Sequence, residues 1–221
     1  MLNREEIAKV LERVRQIDPK CQMFGASNHR YRLNPPAEAE VVRRAEAEYG
    51  FSMPEDYVRF ITEIGDGGAG PDYGIGSFQM FLKPNKNHGV ERFRQSCRLS
   101  LARPFEPRPM APEEVEEYSI CTKEAYDENP ESYFTFYGGD HDDLCDTQGF
   151  YTLGTHGCQW DFGLITAGPY RGQVFDTDNE GAYRFLARSF DEFYQKWLDS
   201  LTDEEGFRRR LARWVKLDEG R

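Results

Sequence analysis

A chain of 221 residues, 14% of them aromatic, can bury a core without disulfide or metal staples, and Phe, Tyr and Trp should fill much of it. With a net charge of −11 and a pI near 5.0, direct binding to nucleic-acid phosphates is not expected. No window holds the ~18 consecutive apolar residues of a membrane helix, and the opening MLNREEIAKVLERV lacks a secretory apolar stretch, so a cytoplasmic protein with no membrane partner is expected.

The charge is unevenly placed. Residues 112–146 carry twelve acids and one base, Lys123, which equals the net charge of the whole chain. Residues 83–109 run the other way, with seven bases against two acids. Five cysteines (Cys21, Cys97, Cys121, Cys145, Cys158) are odd in number and widely spaced. They do not form a disulfide framework and read as reduced thiols, most of them filling the core.

In chain order, Asn3 with Glu6 reads as a capping box ahead of Ile7, Val10, Leu11 and Val14 at helical spacing. A polar connection through Asn34-Pro35-Pro36 leads to a second helix over about 37–49, stopped by Gly50. Pro54 suits the first turn of a third helix, whose apolar face is Tyr57, Phe60, Ile61 and Ile64. The stretch from Gly65 to Gly76 is too glycine-rich for regular structure. Residues 77–82 read as a strand, and the five prolines of 83–112 predict a long irregular excursion. A helix follows over 113–128. Strands are expected at Tyr133–Tyr137, Phe150–Leu153, Trp160–Ala167 and Gln173–Asp176. Ser189 with Glu192, and Thr202 with Glu205, read as capping boxes for two closing helices. Helices first, strands in the middle and helices last argue for an α+β fold with a mostly antiparallel central sheet.

Three motifs suggest chemistry. Gly65-Asp66-Gly67-Gly68-Ala69-Gly70 spells Gly-x-Gly-x-x-Gly, but a dinucleotide site needs that turn between a strand and a helix. Here a helix precedes it and Pro71-Asp72 follows, so a helix stop and turn is the expectation and no cofactor is predicted. His141, Cys145, His156 and Cys158 are metal-ligand types, and His156 and Cys158 would share a face of a strand. Their spacing matches no common zinc site, and the plainer reading is an acidic loop beside a cysteine tucked into the sheet. No nucleophile elbow or catalytic cysteine signature occurs. The acidic run reads either as a solvated surface or as a face that attracts a basic partner.

The order of several blocks resembles one family. Glu46-Ala47-Glu48-Tyr49-Gly50-Phe51-Ser52-Met53-Pro54-Glu55-Asp56-Tyr57, then Gly67-Gly68-Ala69-Gly70-Pro71, is similar to the signature of the SUKH superfamily (the Smi/Knr-like proteins). There a helix ends in Gly, Leu-Pro-x-Asp-Tyr opens the next, and a Gly-Gly-x-Gly-Pro turn follows; Met53 replaces the usual Leu. Leu153 to Trp160, Leu164 to Gly168, Gly172 to Phe175 and Ser189 to Leu198 complete the pattern. The resemblance spans a core of about 37–201 in a single domain, interrupted by a charged insert of about 83–146 that is longer than the family core. It implies a non-enzymatic interaction protein. Bacterial members are typically immunity proteins that neutralise polymorphic toxins, often nucleases; fungal relatives are scaffolding or regulatory factors. A toxin domain with a basic surface is the expected partner, and Asp140, Asp142, Asp143 and Asp146 are the expected contacts. A regulatory or scaffold module without a toxin is the alternative.

Overall fold

Asn3 opens the first helix as expected: its Oδ1 accepts from the amides of Glu5 and Glu6 at 2.9 and 3.2 Å. These bonds satisfy two of the amides that a helix start leaves without partners. The computed structural model describes residues 1–136, 148–178 and 180–219. α1 (Arg4–Ile17) buries Ile7, Leu11 and Val14. α2 (Ala26–His29) is one turn, and α3 (Ala39–Tyr49) ends at Gly50 in the left-handed conformation that glycine favours. α4 (Glu55–Arg59) runs into a wide turn of π-helix, Phe60–Ile64.

The glycine-rich stretch is an ordered turn. Gly68 bridges Leu33 on one side and Ile75 on the other, with φ at 97° and room for no Cβ, which would lie 2.4 Å from the Arg32 carbonyl. Asp66 is buried. It accepts hydrogen bonds from Ser77 Oγ at 2.6 Å, Phe78 N at 2.7 Å and Gln79 N at 3.2 Å. The helix start that the Gly-x-Gly-x-x-Gly spelling suggested for a phosphate thus exists one loop later, and the chain's own carboxylate occupies it. That helix, α5 (Phe78–Leu82), replaces the predicted strand.

The predicted irregular excursion also contains a helix, α6 (His88–Ser100), capped by Asn87. The predicted 113–128 helix is two pieces: a 3-10 segment, Pro112–Glu117, and α7 (Lys123–Glu128). After another 3-10 turn (Pro130–Ser132) the chain enters its sheet. The strands are β1 (Arg108–Pro109), β2 (Tyr133–Thr135), β3 (Phe150–Gly157), β4 (Trp160–Ile165), β5 (Val174–Thr177) and β6 (Ala182–Ala187). Their order is β1-β2-β6-β5-β4-β3, every pair antiparallel. β6 had no counterpart in the sequence reading.

Alternation along the strands separates two cores. Tyr151, Leu153, Phe162, Leu164, Val174 and Ala187 join the main cluster with α1, α3, α4 and the later helix α8 (Phe190–Thr202). Phe150, Ile165, Phe175 and Tyr183 point into a second cluster with Phe105 and Phe134. Each of the Phe, Leu, Ile and Val side chains among them, fully buried, stabilises by about 1.5–3 kcal/mol. α8 (Phe190–Thr202) starts at Ser189, whose Oγ accepts from Glu192 N at 3.1 Å. The third expected box is displaced by one residue. Thr202 belongs to α8 and donates to Asp199 O, while Asp203 accepts from Gly206 N and starts α9 (Glu204–Glu219). The result is an α+β domain, an antiparallel sheet flanked by N-terminal and C-terminal helices. None of the helices among the described residues is long and apolar enough to cross a membrane.

Candidate partner-binding surface

The first part of the charged insert folds against the β1–β2–β6 end of the sheet. Met110, Val115, Ile120, Cys121, Tyr126, Tyr133 and Ala182 form a small core of their own, and the Tyr126 hydroxyl donates to Met110 O at 2.8 Å. Arg108 closes one side, its guanidinium bonded to both Glu114 carboxylate oxygens. Glu114 also accepts from Ala111 N at 2.7 Å. The Arg108 hydrogen bond, aided by that amide, holds the Glu114 carboxyl below its ordinary range.

Glu114 is the one buried acid of this segment among the described residues. Glu113, Glu116, Glu117, Glu124, Asp127, Glu128 and Glu131 are exposed. Lys123 pairs with Asp127 at 2.9 Å. Residues 112–131 therefore present seven carboxylates and one ammonium to solvent, on a scaffold held by its own apolar packing and by the Arg108–Glu114 pair. The preceding basic stretch is used partly inward. Arg98 is 2% exposed, bonded to Glu91 Oε1 at 2.8 Å and to Phe81 O at 3.0 Å, and lies over the rings of Tyr49 and Phe81. Asp140, Asp142, Asp143 and Asp146, the expected contacts, lie outside the described residues, as do His141 and Cys145.

His156 and Cys158 do not meet on a strand face. Cys158 is exposed in the hairpin turn between Gly157 and Trp160, with φ at 55°, which corrects the reading of a cysteine tucked into the sheet. Of the other described cysteines Cys121 is buried and Cys21 and Cys97 are partly so. His156 is taken up by carboxylates: Nδ1 bonds to Asp72 Oδ2, and Nε2 bonds to Asp176 Oδ1 at 2.8 Å. Asp176 is fully buried and also holds Arg184, directly opposite it on β6. Burial, the largest single influence, pushes the imidazole's pKa down. The hydrogen bonds and charges of Asp176 and Asp72 together outweigh it and raise the pKa to about 9. The ring is an imidazolium at neutral pH and has no lone pair for a metal. Among the described residues no group of three or more His, Cys, Asp or Glu side chains could hold a metal ion.

Sequence reasoning passed over Asp72, Asp176 and Arg184. A signal was present for one of them: an Asp between Phe175 and Thr177 in a strand buried along its length needs a cation across the ladder.

Comparison with known proteins gives one match: the model of the SMI1 / KNR4 family (SUKH-1) covers residues 36–196, well over half of the chain. No curated protein and no solved structure matches.

Proposed function

Since the chain belongs to the SMI1 / KNR4 family (SUKH-1), we propose that it is an immunity protein, which neutralises a toxin domain by covering it and carries out no chemistry of its own. The observation that carries this reading is the exposed carboxylate face at residues 113–131. Clustered negative charge attracts a basic surface over roughly a Debye length and raises the rate of encounter. A nuclease cleft, built to hold phosphates, is such a surface. The partner is a protein, no nucleic acid is bound directly, and the encounter takes place in the cytoplasm.

The test pairs the protein with the product of an adjacent toxin-bearing gene. Co-purification and rescue of growth are expected. Changing Glu113, Glu116, Glu117 and Glu124 together to Lys should slow association at least about tenfold at low salt and far less at high salt. The same reversal at Asp140, Asp142, Asp143 and Asp146 tests the rest of the insert. An association rate indifferent to both reversals, or turnover of a substrate by the purified protein, refutes the reading.

A further inference from the structure

A cavity of about 210 Å³ opens between the segment after α1, the turn at Gly70-Pro71-Asp72, and helices α8 and α9. Its walls include Phe24, Tyr31, Trp197 and Trp214, with Trp214 stacked on Phe24 at 4.9 Å between centroids. Apart from Gly70, Pro71 and Asp72, the lining comes from residues 23–31 and 197–214, outside the 36–196 that match the family. The cavity is therefore made where this chain's own flanks close over the family's glycine turn.

The charges around it are largely settled. The Asp72 carboxylate is held by His156. His29 Nδ1 accepts from Tyr31 N at 2.9 Å. Burial pushes its pKa down to about 4 against the opposing hydrogen bond to the Asp72 backbone, so this wall is neutral. Arg208 and Arg209 are paired with Glu204 and Glu205. Arg210 is not so paired: it is exposed, donates to Ser200 O, and forms no ion pair with a carboxylate among the described residues.

We infer that this cavity receives an aromatic side chain of a partner polypeptide, with a carboxylate beside it bound by Arg210. The volume fits that occupant. Cofactor and drug-sized ligands need roughly 300–1,000 Å³, and this space of about 210 Å³ is below that range, a size that suits one side chain. Aromatic walls favour a ring edge-on or offset. An aromatic anchor seated in a pocket is the usual source of most of the energy at an interface. The Arg210 guanidinium, in no direct ion pair although the Asp203 carboxylate lies near it, favours an acidic neighbour for that ring. The site calls for chemistry opposite to that of the acidic insert, and its test uses the protein alone, so either reading can fail without the other.

The probe is the peptide acetyl-Gly-Phe-Asp-Gly-amide, followed by the indole N–H signals of the three tryptophans. Saturable shifts at Trp197 and Trp214, and none at Trp160, are expected. Replacing the Phe of the peptide by Ala should abolish binding, and replacing its Asp by Asn should weaken it roughly tenfold. Arg210→Gln should erase the difference between the Asp and Asn peptides. Ser200→Phe, an exposed position at the cavity, should block both with the unfolding midpoint unchanged. Absence of saturable shifts, binding that survives Ser200→Phe, or phenylacetate binding more tightly than the peptide would each overturn the inference, the last by assigning the cavity to a small acid.

Discussion

At the scale of single residues, His156 joins two parts of the chain that are distant in sequence. Asp72 lies on the turn after α4 and Asp176 lies on β5, and one imidazolium satisfies both. The pH dependence follows from the direction of the shift. The folded pKa is about 9 against about 6.5 in an unfolded chain. This contribution is complete below about pH 6.5 and is lost as pH rises through 9. The side chain is 26% exposed, so solvent screening reduces the effect to on the order of 2 kcal/mol. Urea unfolding at pH 6.5, 8 and 9.5 should show wild-type stability falling across that range. His156→Gln should be less stable at pH 6.5 and should lack this fall. A variant with the same slope as wild type would mean that the ring is neutral in the folded state.

Arg98 shows at the scale of elements why part of the insert was illegible in the sequence. α6 was hidden by the prolines and dense charge of 83–112, and its large apolar side chains Val90, Phe93 and Leu99 stay exposed while the residues it buries are Arg98 and Ser100. The guanidinium ties α6 to the end of α5 through Phe81 O and is held in place by Glu91 of α6 itself. α5 itself is five residues of strand-like composition, turned into helix by the caps from Ser77 and Asp66. Those are tertiary reasons that override local propensity. The outer helices were legible because capping and periodicity agreed there, and β3, β4 and β5 because aromatic and β-branched runs lay between glycines. β6 escaped because its sequence, AYRFLA, mixes strand and helix formers, and its place is set by pairing with β2 and β5. Of the candidate surface, the exposed acids of 113–131 were legible as composition, the expected contacts Asp140, Asp142, Asp143 and Asp146 lie outside the described residues, and the cavity joins residues nearly two hundred positions apart. Arg98→Met should cost about 1–3 kcal/mol, since it leaves the Phe81 carbonyl without its guanidinium donor, while Glu91 keeps its hydrogen bond from Asn85 N. Arg98→Lys should recover little of this, because one ammonium cannot reproduce the planar fork over two rings. Chemical denaturation of both variants checks the ranking; a full rescue by Lys would show that charge alone holds α6 in place.

For the whole molecule, the proposed capture of a basic partner sets the charge distribution against stability. Seven exposed carboxylates fall within residues 113–131, one of them paired with Lys123, on a scaffold whose own core is small. Like charge at this density destabilises the surface that carries it, and that cost is tolerated if the field serves an encounter. Glu113, Glu116, Glu117 and Glu124 changed together to Gln would remove four charges, taking the net from −11 to about −7 with little change of shape. The expected result is an unfolding midpoint equal to or slightly above wild type, with the gain shrinking as salt screens the repulsion. Association with a basic partner should slow in the same low-salt buffer. The two effects have opposite signs and a common origin, so they should fade together as ionic strength rises. A midpoint that fell by several degrees would show these side chains holding the insert together, and their acidity would then be a feature of the fold rather than of its partner.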